Sequence, residues 1–127
     1  MVKRGRPTIA LIEDELLLRV ATAKAIDDAG YNVVSAASGV EGLALLRDYA
    51  IDLAVIDIVL PGRLDGVGMI REARRENPHL SVIFTSGVPP VDAAAVTAIG
   101  PFLLKPYRMD ALVALIARLV PLDAKRW

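Results

Sequence analysis

Five times along the chain a short apolar run of strand length is followed by a stretch with helical spacing, and this alternation restricts the fold more than any other feature. The apolar runs fall at 8–12, 31–36, 53–56 (closed by Asp57), 80–85 and 102–105. The stretches between them predict helices to about 29, over 38–49, from 66 to just before Pro78, over 91–99 and over 109–120. Strand and helix in strict alternation require parallel strands joined by right-handed crossovers, with helices covering both faces of one sheet. The fold class expected is therefore α/β, a doubly wound parallel five-stranded sheet.

Local signals support each boundary. Leu18, Ala21, Thr22, Ala25, Ile26 and Ala29 make one apolar face on the first helix, and Gly30 closes it. Ser38 with Glu41 three residues on has capping-box spacing. Pro89 and Pro90 suit the entry of the fourth helix, and Pro101 marks the last strand as an edge strand. Met109, Leu112, Val113, Ile116, Leu119 and Val120 form the buried face of the last helix.

The 127 residues fit one domain, with its core over about 8–120, a basic tail at 1–7 and a short tail at 121–127. A hydrophobic content of 54% fits a sheet covered on both faces, and no apolar stretch approaches the ~18 residues of a membrane span. Without a secretory leader pattern the chain is expected in the cytoplasm. No Cys and one His exclude thiolate and His-cluster metal sites. Fifteen basic and fifteen acidic residues balance, so bulk charge does not suggest nucleic-acid binding. The Lys3–Arg6 segment reads as a solvated tail and His79 as a solvated loop residue; Gly62, Gly66 and Gly87 read as turn residues.

Polar groups appear where four of the strands end: Glu13 and Asp14, Asp57, Thr85 and Ser86, and Lys105. In a parallel sheet these ends share one edge, the edge where such sheets carry their ligands. Asp57 is the most telling of them, an acid that closes a run buried on both faces. A carboxylate there is costly without a cation. Three carboxylates with oxygen-only ligation suit Mg²⁺. A hydroxyl and an ammonium opposite them would clamp an anionic group, which is equipment for phosphoryl transfer by positioning and charge neutralisation.

The segments IEDE, DIVLPGRLDG, TSG and FLLKP, in this order and at these strand ends, resemble the receiver domains of two-component response regulators over about 8–120. The resemblance implies the flavodoxin-like receiver fold with strand order 2-1-3-4-5. It also implies that Asp57 accepts phosphate from a sensor histidine kinase or a histidine phosphotransfer protein. Asp14 and Asp57 would bind Mg²⁺ directly, Glu13 through water, and the backbone carbonyl of Val59 would complete the set. Thr85 and the N–H of Ser86 would hold phosphoryl oxygens. Lys105 would pair with Asp57 at rest, and the Lys105–Pro106 bond would be cis. Phe102 would be the switch aromatic. The first helix would dock the donor, which gives Leu16, Leu17 and Val20, off its buried stripe, a partner to meet.

Two departures from the family pattern stand out. The acceptor loop has one extra residue between Pro61 and Asp65, and Val59 and Gly87 offer no polar side chain to orient attacking water. The expected protein is a stand-alone signalling phosphoacceptor with no separate substrate turnover, a monomer or weak dimer that binds an unknown downstream protein and neither nucleic acid nor membrane. The alternative is a receiver-like interaction module that works without phosphorylation. A haloacid-dehalogenase-type phosphatase is disfavoured, because Val59 stands where its second Asp is required.

Overall fold

The structure, a computed structural model, describes residues 2–122; most of the expected C-terminal tail, 123–127, lies outside the described residues. The elements in chain order are β1 (Thr8–Ile12), α1 (Leu16–Asp28), β2 (Asn32–Ala36), α2 (Gly39–Asp48), β3 (Leu53–Asp57), α3 (Gly66–Glu76), β4 (Ser81–Ser86), α4 (Ala93–Ile99), β5 (Phe102–Leu104) and α5 (Met109–Leu119). All strand pairs are parallel, in the order β2-β1-β3-β4-β5. No described helix is long and apolar enough to cross a membrane.

Successive side chains of a strand point to opposite faces, and here each face has its own core. Ala10, Ile12, Ala54, Ile56, Val82 and Phe84 meet Met69 and Ile70 of α3 on one side. Ile9, Leu11, Leu53, Val55 and Ile83 meet Ile26 of α1 and Leu112 and Ile116 of α5 on the other. β1 and β3 are buried at every position, as the unbroken apolar runs required. Each large aliphatic side chain fully buried there contributes about 1.5–3 kcal/mol.

Some boundaries and faces differ from the sequence expectation. β2 starts at Asn32 rather than residue 31, because Tyr31 is a core plug whose hydroxyl donates to the Val120 carbonyl at 2.6 Å. β4 begins one residue late, with Leu80 buried just ahead of it. α4 starts only at Ala93, since the Asp92 side chain caps it by accepting the Ala95 N–H at 3.0 Å. Ala21 is exposed, and Ala23 packs against the core in its place; likewise Leu119 is exposed and Leu115 packs inward. The N-terminal segment is held rather than loose. The Asn32 amide donates to the Lys3 and Arg6 carbonyls and accepts the Lys3 N–H, although Lys3 and Arg4 stay exposed.

Helix α4 has only one buried residue, Val96. Its C-terminal end is nevertheless fastened. The Arg74 guanidinium of α3 donates to the Leu80 carbonyl at 2.8 and 3.1 Å and to the Ile99 carbonyl at 3.1 Å. Gly100 lies so close to β4 that a Cβ would stand 2.5 Å from the Val82 carbonyl oxygen.

Candidate phosphoacceptor site

The parallel register sets the frame of the site. Asp57 is paired with Thr85 in the β3–β4 ladder, and the Ile58 N–H donates to the Thr85 carbonyl at 2.9 Å. Glu13 leaves β1 with its N–H on the Ala36 carbonyl, and Lys105 leaves β5 with its N–H on the Ser86 carbonyl. Backbone hydrogen bonds thus hold the chain at every one of these polar strand ends. Asp57, Glu13, Thr85 and Ser86 are all buried, whereas Asp14 is exposed.

Lys105 is the hub of the charges. Its ammonium lies 2.7 Å from Asp57 Oδ2 and 2.5 Å from Glu13 Oε1, with its side chain only 18% exposed. The pairing with Asp57 follows the expectation; the equally close pairing with Glu13 does not, and no sequence signal announced it. The remaining carboxylate oxygens also have partners. Asp57 Oδ1 accepts the Val59 N–H, and Glu13 Oε2 accepts the Glu15 N–H, both at 3.0 Å. Burial pushes the Glu13 carboxyl above the ordinary 4.5, against the pull of Lys105 and the Glu15 N–H. Burial also works to lower the Lys105 ammonium, but its hydrogen bonds to Asp57 and Glu13 outweigh this and raise it above the ordinary 10.5.

Glu13, Asp14 and Asp57 each offer one carboxylate oxygen, all within 4.8 Å of one another. Oxygen donors alone, three of them anionic, fit a hard divalent cation and not a thiophilic one. The Val59 side chain is exposed beside this cluster. Ser86 Oγ accepts the Val88 N–H at 3.3 Å and so shapes the turn after β4. Phe102 is half-buried and packs against the core on the α3 side. The Lys105–Pro106 bond is cis. Tyr107 follows it, with its hydroxyl 3.2 Å from Thr22 Oγ1 of α1, which ties this loop to the first helix.

In the loop after β3, Gly62 has a φ of 92°, which favours glycine, while Leu64 tucks against the core. Asp65 caps α3 by accepting the Gly68 N–H at 2.8 Å. Gly66, read both as a turn residue and as the start of the third helix, is the first residue of α3. A Cβ on it would stand 2.3 Å from the Asp57 carbonyl oxygen, so glycine lets the helix begin against the acceptor strand.

Around the mouth of the site, Leu16, Leu17 and Val20 are exposed at 59%, 79% and 59%. Leu17 and Leu18 line a cleft with Glu15, Lys105, Pro106 and Tyr107. Apolar surface on α1 therefore runs up to the lysine that holds Asp57.

A five-stranded doubly wound sheet with an acidic cluster and a lysine at its carboxyl edge defines a phosphoacceptor signalling domain. The chain belongs to the response regulator receiver domain family, whose family model matches residues 9–117. It is 39% identical over 85 residues to sensor kinase CckA of Brucella abortus, covering 65% of the chain and 9% of that protein. To the transcriptional regulatory protein AfsQ1 of Streptomyces coelicolor it is 32% identical over 117 residues, covering 88% of the chain and 52% of AfsQ1. The chain thus spans about half or less of these relatives. Among solved structures, a response regulator receiver protein from Sinorhizobium medicae superposes with a TM-score of 0.80 at 28% identity, over 96% of this chain and 98% of that one. The receiver domain of the hybrid histidine kinase CckA gives 0.76 at 29% identity, over 89% of this chain and 98% of that one.

Proposed function

We propose that this chain accepts a phosphoryl group on Asp57 from a sensor histidine kinase or a histidine phosphotransfer protein, with Mg²⁺ as cofactor. The observation that carries the reading is the Lys105 ammonium seated between buried Glu13 and Asp57, with Asp14 beside them. Asp14, Asp57 and the Val59 carbonyl would hold the cation, with Glu13 acting through water; when bound it neutralises charge on the phosphoryl oxygens. An Asp57 carboxylate oxygen forms the new bond to phosphorus as the P–N bond of the donor breaks, and the electron pair leaves with the imidazole. Lys105 follows the negative charge from the carboxylate to the phosphoryl group. Thr85 and the Ser86 N–H donate to phosphoryl oxygens, and Phe102 repacks when Thr85 moves toward them. The acyl phosphate biases a pre-existing conformational equilibrium, and no separate substrate is turned over. The working unit is one domain over about 8–120, monomeric or weakly dimeric, cytoplasmic, and coupled to a downstream protein.

Intact mass after incubation with Mg²⁺ and a small-molecule phosphodonor tests this. One acid-stable, base-labile phosphate adduct is expected, absent from Asp57→Asn and from an EDTA control. An adduct that survives in Asp57→Asn would move the acceptor elsewhere. No adduct from either a small donor or a phosphohistidine protein would leave a binding module.

The apolar face of α1 gives the donor a place to dock. Leu17→Glu puts a charge at its most exposed point and is expected to slow transfer from the cognate phosphohistidine donor by roughly tenfold, the equivalent of about 1.4 kcal/mol. Labelling by a small-molecule donor should stay unchanged. Equal slowing of both would place the effect inside the domain instead of at its surface.

A further inference from the structure

Glu13 is fixed at every polar atom. Its N–H donates to the Ala36 carbonyl, its Oε2 accepts the Glu15 N–H, and its Oε1 meets Lys105. Its carbonyl accepts from a side chain that takes no other part in the site: Arg19 Nη1 of α1, at 2.7 Å. The Arg19 N–H closes the first turn of α1 on the Glu15 carbonyl at 2.9 Å, so the base of that side chain is itself anchored.

The Glu13 carbonyl and the Asp14 N–H belong to one rigid peptide unit. Holding that oxygen therefore fixes the plane from which Asp14 departs. Asp14 needs such support more than its neighbours. Glu13 and Asp57 are buried and bonded to backbone N–H groups as well as to Lys105, whereas Asp14 is exposed at the start of the turn. We infer that Arg19 is a positioning residue for the acidic cluster: through the Glu13 carbonyl it orients Asp14 toward a divalent cation. This rests on the reading of Glu13, Asp14 and Asp57 as a cation site.

Groups behind a metal's ligands that hold them in place are worth roughly 10–100-fold in metal affinity. As a cation near the cluster, Arg19 also repels a metal ion, so charge alone would make its loss tighten binding. Orientation and charge thus predict opposite signs.

The test is calorimetric titration of Mg²⁺ into the unaltered chain, Arg19→Ala and Arg19→Lys, without a phosphodonor, with thermal unfolding measured in parallel. Arg19→Ala is expected to weaken Mg²⁺ binding by roughly tenfold. Arg19→Lys, which keeps a cationic donor on a long stem, should recover part of that loss. Binding by Arg19→Ala that equals or exceeds that of the unaltered chain overturns the inference while leaving the cation site standing. Weakening that Arg19→Lys does not relieve at all overturns it too, as does weakening that simply tracks lost thermal stability in both variants. No Mg²⁺ binding by the unaltered chain overturns both the inference and the site on which it rests.

Discussion

Replacing Lys105 by methionine is expected to cost about 3–5 kcal/mol of stability at neutral pH, the range for removing one partner of a buried ion pair. The physical reason is that two carboxylates lose one cation. Lys105 lies 2.7 Å from Asp57 and 2.5 Å from Glu13, and both acids are buried at the sheet edge. Methionine fills a similar volume, so the loss measures charge and not a cavity. Urea denaturation of the two proteins gives the difference directly; a loss under about 1 kcal/mol would make this an ordinary surface pair. Added Mg²⁺ should restore more stability to the variant than to its parent, because in the variant no ammonium already neutralises Glu13 and Asp57.

The pH dependence has a definite sign. The folded-state value of Lys105 lies above the ordinary 10.5, so its contribution is fully present below 10.5 and is lost as pH rises through the folded value. The difference between parent and variant should therefore hold steady from neutrality to that point and shrink above it. Glu13, raised above 4.5 by burial, contributes stability that is present at acid pH and lost as pH rises through its folded value. With Lys105 gone, the variant should be most stable on the acid side of neutrality. A difference that narrows between pH 7 and 9 would contradict the raised lysine.

Gly66→Ala is expected to cost about 3 kcal/mol despite the better helix propensity of alanine, which returns at most ~1 kcal/mol. The new Cβ would lie 2.3 Å from the Asp57 carbonyl oxygen, 2.8 Å from Ile56 Cγ2 and 2.9 Å from Ile58 Cα. Two of these three atoms are backbone, so no side-chain rotation relieves the overlap. Either α3 backs away or the end of β3 does, and the second route carries Asp57 with it. Thermal unfolding reads the cost, and the rate of labelling by a small phosphodonor reads any displacement of the acceptor. Gly87→Ala is the control, since a Cβ there meets nothing within 4 Å. A Gly66→Ala protein as stable as its parent would mean that α3 slides freely on β3.

The parallel sheet and the placing of Glu13, Asp14, Asp57, Thr85, Ser86 and Lys105 at one edge of it were legible in the sequence because they depend on period and topology, whereas the strand order came only with the resemblance to receiver domains. Nearly continuous apolar runs of strand length at 8–12 and 53–56 fit a strand covered on both sides, and parallel strands carry their ends to one edge. Features decided by the reach of single side chains were not legible. Arg74 grips carbonyls at Leu80 and Ile99, and Arg19 turns back to Glu13; an exposed-looking arginine on a helix gives no sign of which carbonyl it will find. The fork of Lys105 to Glu13 escaped notice for the same reason. Ala21 and Leu119 were assigned inward by helical spacing, but where α1 and α5 lie over the sheet was settled by Ile26, Leu112 and Ile116. What was not legible is why residue 66 must be glycine, because its closeness to the end of β3, nine residues earlier in the chain, leaves no mark on local sequence.

Arg74 and Gly100 make α4 a lever with one fixed end. Seven residues of helix are about 10 Å long, so a shift of about 2 Å at the Asp92 end turns the axis by about 11° while Ile99 stays in place. Such a sweep would be graded along the helix, greatest at Ala93 to Ala95 and smallest at the last turn. A binding protein that touches the first turn would feel almost the full displacement, and one that touches the last turn almost none. Were the loop after Ser86 to move while the last turn stays held, the short, alanine-rich α4 would turn that movement into an angle, and the turn that a ligand grips would set how large a signal it receives.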